Sequence, residues 1–208
     1  NIPGLAGTSY AESKDGVHWT KPALRQTKIN GSLENNFLAV VPGDTWPKNG
    51  IENVVIDPDD PDSNRRYKGF YGVIGRRPMV SPDGIHWKLL ETAVLPSSDE
   101  SNMSYDRANN TFIATLKRGG PFGRSHRIWT SNNFSEWTDT GVLFHADQQD
   151  QQLAKKNIEA RLANPKLQQP VKNVPADYNA DIYNFGVFRY EGLYIGMPAV
   201  YHATGKLK

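Results

Sequence analysis

The chain has 208 residues, of which 24 are Lys or Arg and 22 are Asp or Glu, leaving a formal net charge of +2. That length can bury one sizeable core, the near balance of charge argues against nucleic acid as the main partner, and no stretch reaches the ~20 apolar residues of a membrane span. Cysteine is absent, which excludes disulfides, thiolate nucleophiles and cysteine-based zinc sites. The 22 aromatic residues (Trp 5, Tyr 9, Phe 8) stand beside Gly 18 and Pro 14, a mixture that predicts short strands joined by tight turns.

In chain order, Asn1, Ile2, Pro3 and Gly4 lack the charged start and apolar run of a signal peptide. Residues 9–12 read as a strand that enters the turn 13–19 (SKDGVHW), with a further strand after Trp19. Asn53 opens a strand over 53–57; the turn 58–61 leads to a second strand over 67–73. A third strand runs into 81–87 (SPDGIHW), and a fourth covers 88–95. The order then returns: Asn102 opens 102–106, 111–117 follows the turn 107–110, a third strand enters 131–137 (SNNFSEW), and 138–144 is the fourth. Residues 147–165 have helical spacing, with Leu153, Ile158 and Leu162 as a narrow apolar stripe and Asn164 and Pro165 as the stop, which predicts a short, largely solvated surface helix. Asn184 opens 184–188, and after the turn 190–192 the strand 193–200 follows.

These segments repeat. Asn53 lies 34 residues before Trp87 and Asn102 lies 35 before Trp137, whereas the connections from Trp to the next Asn vary in length. A fixed module of four antiparallel strands is the blade of an all-β propeller. Half a blade, two whole blades and half a blade make about three blade equivalents, read as a single β-propeller domain over 1–208. Either the ring is a truncated larger one, or the terminal halves pair, within a small ring or through a homo-oligomer, because an open blade edge invites aggregation. Within the motif, Ser and Asp bond backbone groups, Gly supplies a positive φ and Trp packs, which is a structural role; His18 and His86 belong to it.

Ligands of propellers bind where connections enter the first strands, and function collects where loops vary on a fixed scaffold. Aligning Asn53, Asn102 and Asn184 puts Asp99 and Asp181 at equivalent positions three residues upstream, with Glu52 entering from the remaining blade. Converging carboxylates suit glycosidic-bond hydrolysis, one as acid and the other as nucleophile or base. Asp99 and Asp181 are the candidate pair and Glu52 a modulating third; as turn or capping residues they would have a purely structural role. Arg76 and Arg77, and Arg118, Arg124 and His126, fall in connections between second and third strands, where Arg forks suit the acid group of an anionic sugar or pair with nearby carboxylates. Asn53, Asn102 and Asn184 either bond sugar hydroxyls or hold the first strands in register. Trp46 and Tyr183 are candidate stacking surfaces for a sugar ring, or core packing.

The segments 10–19 (YAESKDGVHW), 65–68 (RRYK), 81–87 (SPDGIHW) and 186–194 (GVFRYEGLY) resemble the glycoside-hydrolase-like β-propellers related to the five-bladed families 43 and 32. The resemblance covers most of the chain outside roughly 147–176. It implies a secreted or periplasmic carbohydrate-active protein that hydrolyses glycosidic bonds of plant or algal glycans; the alternative is a non-catalytic carbohydrate-binding or interaction propeller. It requires no cofactor, although it allows an axial calcium or sodium ion. A sialidase-like reading fits less well, because the sialidase Asp-box is one residue longer than the motif here.

Overall fold

The computed structural model describes residues 7–40 and 50–205. The described residues are all-β, with three antiparallel sheets and one α-helix among them. The first sheet is the meander β1 (Ile51–Ile56), β2 (Tyr67–Tyr71), β3 (Arg77–Ser81) and β4 (Lys88–Leu89), paired in that order. The second repeats it with β5 (Ser101–Asp106), β6 (Thr111–Gly120), β7 (Gly123–Ser131) and β8 (Thr138–Phe144). The third is the hairpin β9 (Asn179–Tyr190) and β10 (Leu193–Ala203). The two four-stranded modules expected from the repeat are therefore present. The fourth strand of the first is shorter than 88–95: beyond β4 the chain meets β3 through the bond from Leu90 N to Pro78 O at 2.9 Å and again at the bridge from Leu95 to Arg76.

All three copies of the Ser-to-Trp motif fold alike. In the second copy Ser81 Oγ accepts from Gly84 N at 2.9 Å, Asp83 Oδ1 accepts from Ile85 N and His86 N at 2.8 Å each, and Trp87 Nε1 donates to Gly84 O at 2.8 Å. The first copy repeats these bonds around Ser13, Asp15, Gly16 and Trp19. The divergent third keeps them with other side chains: Asn133 Oδ1 accepts from Ser135 N and Glu136 N, and Trp137 Nε1 donates to Phe134 O. Phe134 also takes the left-handed conformation of the glycines, with φ of 61° against 76° at Gly16 and 78° at Gly84. A β-carbon makes that region unfavourable, and the compensation is packing. Phe134 is fully buried, with its ring 5.8 Å from Phe70, 5.2 Å from Phe112 and 5.5 Å from Trp137.

By contact density the chain forms two compact units. The first holds residues up to Pro96 with Tyr105–Phe112 and Ser131–Trp137; the second holds Ser97–Ser104, Ile113–Thr130 and the chain from Thr138 onward. In the first, Leu38, Val40, Ile51, Tyr71 and Met79 form a core against which Tyr10 and Trp87 pack. There Lys68 is buried, its ammonium bonded to Asp57 at 2.9 Å, Asp60 at 2.8 Å and the Arg65 carbonyl at 2.7 Å, so all three N–H donors are used. In the second, Ala146, Ile182 and Phe185 are buried together, and Phe144 stacks on Phe185 at 4.3 Å.

The helix α1 (Gln148–Leu162) lies where expected and starts with a capping box: Asp147 and Asp150 each accept from the other's backbone N–H at 2.9 Å. Its buried face differs from the expected stripe. Leu153 is exposed, while Ala154 and Ile158 are buried. Gln151 faces β9, donating to Ala180 O at 2.7 Å and accepting from Ala180 N at 2.8 Å. The helix is thus more than a solvated insertion: it clamps the backbone at the start of β9.

Candidate functional site

β9 supplies the centre of the site. Its register against β10 shifts between Ala199, opposite Asn184, and Val200, opposite Ile182, so Tyr183 is the extra residue of a bulge. Bulges re-aim side chains, and here the Tyr183 ring meets two cations. Lys117 Nζ lies 4.2 Å and the Arg124 guanidinium 4.8 Å from its centroid, and its hydroxyl donates to Glu100 Oε1 at 3.0 Å. That bond to a carboxylate raises the Tyr183 phenol above its usual value. Arg124 also covers Tyr201, 4.5 Å from its centroid.

Each cation is held by acids. Lys117 Nζ bonds Asp99 Oδ2 at 3.1 Å and also Glu100. Arg124 Nε donates to Asp181 Oδ2 at 2.9 Å. Partial burial pushes the Glu100 carboxyl up, but hydrogen bonds led by the Lys117 ammonium outweigh it and hold the group well below the usual carboxylate range. Asp181 is buried, and its second oxygen, Oδ1, has no hydrogen-bond partner. The residue forms one wall of a cleft of about 750 Å³ lined also by Phe122, Arg124, Tyr178, Asn179 and Tyr201. Gly123 lets the hairpin between β6 and β7 come this close: a β-carbon there would stand 3.0 Å from Asp181 Oδ2 and 3.3 Å from its Cβ, and its φ is 113°.

Two of the three expected carboxylates, Asp99 and Asp181, thus serve one arrangement, joined through Lys117, Tyr183 and Arg124. Glu52 belongs to the first unit, where its Oε2 accepts from Arg76 Nη1 at 2.9 Å. Asn102 donates to Asn184 and to Phe185 O at 3.1 Å, which ties β5 to β9. Asn53 sits in the bulge of β1 with φ of 55°. Trp46 lies outside the described residues.

The cationic connections need correction. The strands β6 and β7 run on to a tight turn at Pro121 and Phe122, so Arg118, Arg124 and His126 lie in strands, and only Arg118 is exposed. Arg76 is fully buried and donates to Glu52 and to Gly72 O, so it serves the interior and not a ligand loop. Arg77 opens β3 and is exposed. His126 is buried beneath Tyr183, with Nε2 3.4 Å from the Tyr183 carbonyl oxygen, and desolvation pushes its pKa down. A neutral imidazole there packs beside Phe185 and does not reach solvent as an acid or base.

The strand alignment that marks Asp99 and Asp181 marks neither Glu100, Lys117 nor Tyr201. A Lys in a strand that otherwise reads as apolar was the available signal for Lys117; Tyr201 carried none. Among the described residues no group of three or more His, Asp or Glu side chains is arranged to hold a metal ion, and no helix is long and apolar enough to cross a membrane. No family model matches the chain, and neither the curated proteins nor the solved structures contain a match.

Proposed function

We propose that the chain is a carbohydrate-binding protein of the glycoside-hydrolase-like β-propeller type, with the cleft at Asp181 as its sugar site. The observation that carries this reading is the cleft that Asp181 and Arg124 share with Phe122, Tyr178, Asn179 and Tyr201, with the Arg124 guanidinium fixed by Asp181 Oδ2 and lying over Tyr201. Arg124 donates to sugar hydroxyls, while Tyr178, Tyr201 and Phe122 offer the apolar surface a pyranose ring needs. Two four-stranded meanders with the same third-to-fourth-strand turn support blades as the architecture.

Because Arg124 and Lys117 are already paired with acids, a neutral, hydroxyl-rich sugar fits better than an anionic one. Hydrolysis is the second reading, favoured by two carboxylates, Asp99 and Asp181, that meet the Tyr183 cluster through Lys117 and Arg124 as a candidate acid and base. The test is titration calorimetry of neutral plant and algal oligosaccharides against the chain and Asp181→Ala, beside a screen of chromogenic aryl-glycosides. Binding that Asp181→Ala weakens at least tenfold, without turnover, is the expected result. Turnover abolished in Asp181→Asn establishes the hydrolytic reading, and no binding of any glycan overturns both.

A further inference from the structure

One buried titratable group is used neither by the cleft nor by the motif. Along β7, alternation puts Arg124, His126 and Ile128 on one face. Arg124 reaches the cleft and the rings of Tyr183 and Tyr201, and Ile128 packs against the core of Ala146, Ile182 and Phe185. His126 stands between them in the strand. It is fully buried, with its ring 6.3 Å from that of Phe185, and β8 sets the apolar Phe144 opposite it in register.

The imidazole touches the part of β9 that shapes the site. Its Nε2 lies 3.4 Å from the carbonyl oxygen of Tyr183, the bulge residue, and its Nδ1 has no hydrogen-bond partner; the Thr115 carbonyl is near without closing one to it. A neutral ring suits these surroundings with its proton on Nε2, donating to Tyr183 O and leaving only an acceptor unpaired. An imidazolium has two donors to satisfy, and an unpaired donor on a buried charge is costly. The charged groups around the ring do not compensate. Lys117 of β6 repels an imidazolium; Glu100, ahead of β5, attracts it but is already bonded to Lys117 and to the Tyr183 hydroxyl. Asp99 bonds Lys117, Arg124 on the same strand is held by Asp181 of β9, and Asp139, the acid of β8, is spent on Arg127. Desolvation, joined by Lys117, thus holds the ring below its ordinary value of 6.5 against the pull of the two carbonyls and Glu100.

We infer that His126 is a pH-sensitive switch beneath the cleft: neutral, it holds the Tyr183 bulge in place; protonated, it leaves its buried position and β9 opens around residues 181–184, loosening Asp181 and Arg124. Opening takes up a proton. The open form exposes the ring, which then charges at its ordinary value of 6.5, whereas the closed form charges only at a lower one. Opening is therefore rare above pH 6.5 and grows as the pH falls below it. It requires only a local unit of structure to yield, not the whole fold. The effect on glycan binding rests on the reading of the cleft as a sugar site, whereas the opening of β9 does not.

Hydrogen-exchange mass spectrometry of the whole chain from about pH 7.5 to about pH 4.5, with rates corrected for the chemical pH dependence of exchange, reads the opening without any ligand. Peptides covering residues 179–186 should exchange at least ~5-fold faster at the lower pH in the parent chain and at an unchanged rate in His126→Gln, which keeps an N–H for Tyr183 O and does not titrate. Nuclear magnetic resonance of the assigned His126 imidazole follows the proton itself. In the parent its titration should coincide with the rise in exchange, a comparison that stands even where His126→Gln fails to fold. A neutral oligosaccharide that binds at the higher pH should lose at least ~5-fold in affinity over the same range in the parent and keep its affinity in His126→Gln. Equal acceleration in parent and variant, exchange that rises without the imidazole titrating, or an affinity that stays level in the parent while β9 opens each overturns the switch. Accelerated exchange that His126→Gln abolishes, with no glycan bound at any pH, upholds it and overturns only the sugar reading.

Discussion

At the residue scale, Phe134 shows the motif tolerating a conformation its chemistry opposes. Two effects compete there: loss of a fully buried ring costs about 3–5 kcal/mol on truncation to Ala, and the left-handed backbone costs a residue with a β-carbon about 1–2 kcal/mol. Phe134→Ala keeps the strain and loses the packing, while Phe134→Gly loses the packing and removes the strain. Denaturant unfolding should therefore find both variants destabilised, with Gly more stable than Ala by about 1 kcal/mol, the reverse of the order in ordinary helix or strand positions. The motif also makes an acid-sensitive contact. Partial burial pushes Asp83 up, yet the N–H groups of His86 and Ile85, the His86 imidazole and Ser81 hold it at about 2. A carboxylate depressed in the fold contributes stability that is complete above its ordinary value of 3.8 and is lost as pH falls toward 2. Asn133 does the same backbone bonding without a charge. Asp83→Asn should thus leave the melting temperature near pH 7 little changed and make its fall between pH 4 and 2 shallower; an unaltered fall would place the acid sensitivity elsewhere.

At the element scale, the helix α1 is where sequence and structure part most usefully. Its existence and its C-terminal end were legible, since the spacing over 147–165 is helical and Asn164 with Pro165 is a stop. Its task was not, because a Gln that bonds a backbone 29 residues away leaves no periodic signal. The same holds for the acids: strand alignment brings Asp99 and Asp181 to equivalent positions, but Arg124, one of the two cations between them, comes from a strand that reads as a loop, since Gly119, Gly120 and Gly123 mimic a long connection. Alternation and turn chemistry reveal strands; which side chains a bulge re-aims depends on pairing. Gln151 holds both backbone groups of Ala180, the residue before Asp181, so it is a positioning residue for the carboxylate. Gln151→Ala should weaken glycan binding about 3–10-fold with the far-ultraviolet spectrum unchanged, and Gln151→Asn, one methylene too short, should not restore it. Equal affinity in Gln151→Ala and the parent chain would show that β9 keeps its place without the clamp.

At the scale of the whole molecule, charge decides what kind of sugar the proposed site would suit. The excess of cations over acids is only two, and the positive groups around the site are neutralised locally: Arg124 by Asp181, Lys117 by Asp99 and Glu100, and Arg127 by Asp139 at 2.6 Å. The cations that meet Tyr183 and the cleft wall are thus already paired, which shifts the discrimination toward hydrogen bonds and ring stacking inside the cleft. Such contacts are short-ranged, whereas attraction between exposed charges weakens as the screening length drops from ~30 Å at 0.01 M salt to ~8 Å at 0.15 M. Affinity for a neutral oligosaccharide should therefore change less than ~2-fold between 0.01 and 0.3 M sodium chloride, and a uronic or sulfated counterpart of the same backbone should bind no more tightly. Calorimetry across that salt range with matched neutral and acidic oligosaccharides reads both quantities. A preference for the acidic sugar that collapses as salt rises would mean that Arg124 exchanges Asp181 for the ligand's own carboxylate or sulfate, and that the ion pair is a latch on the site and not part of its wall.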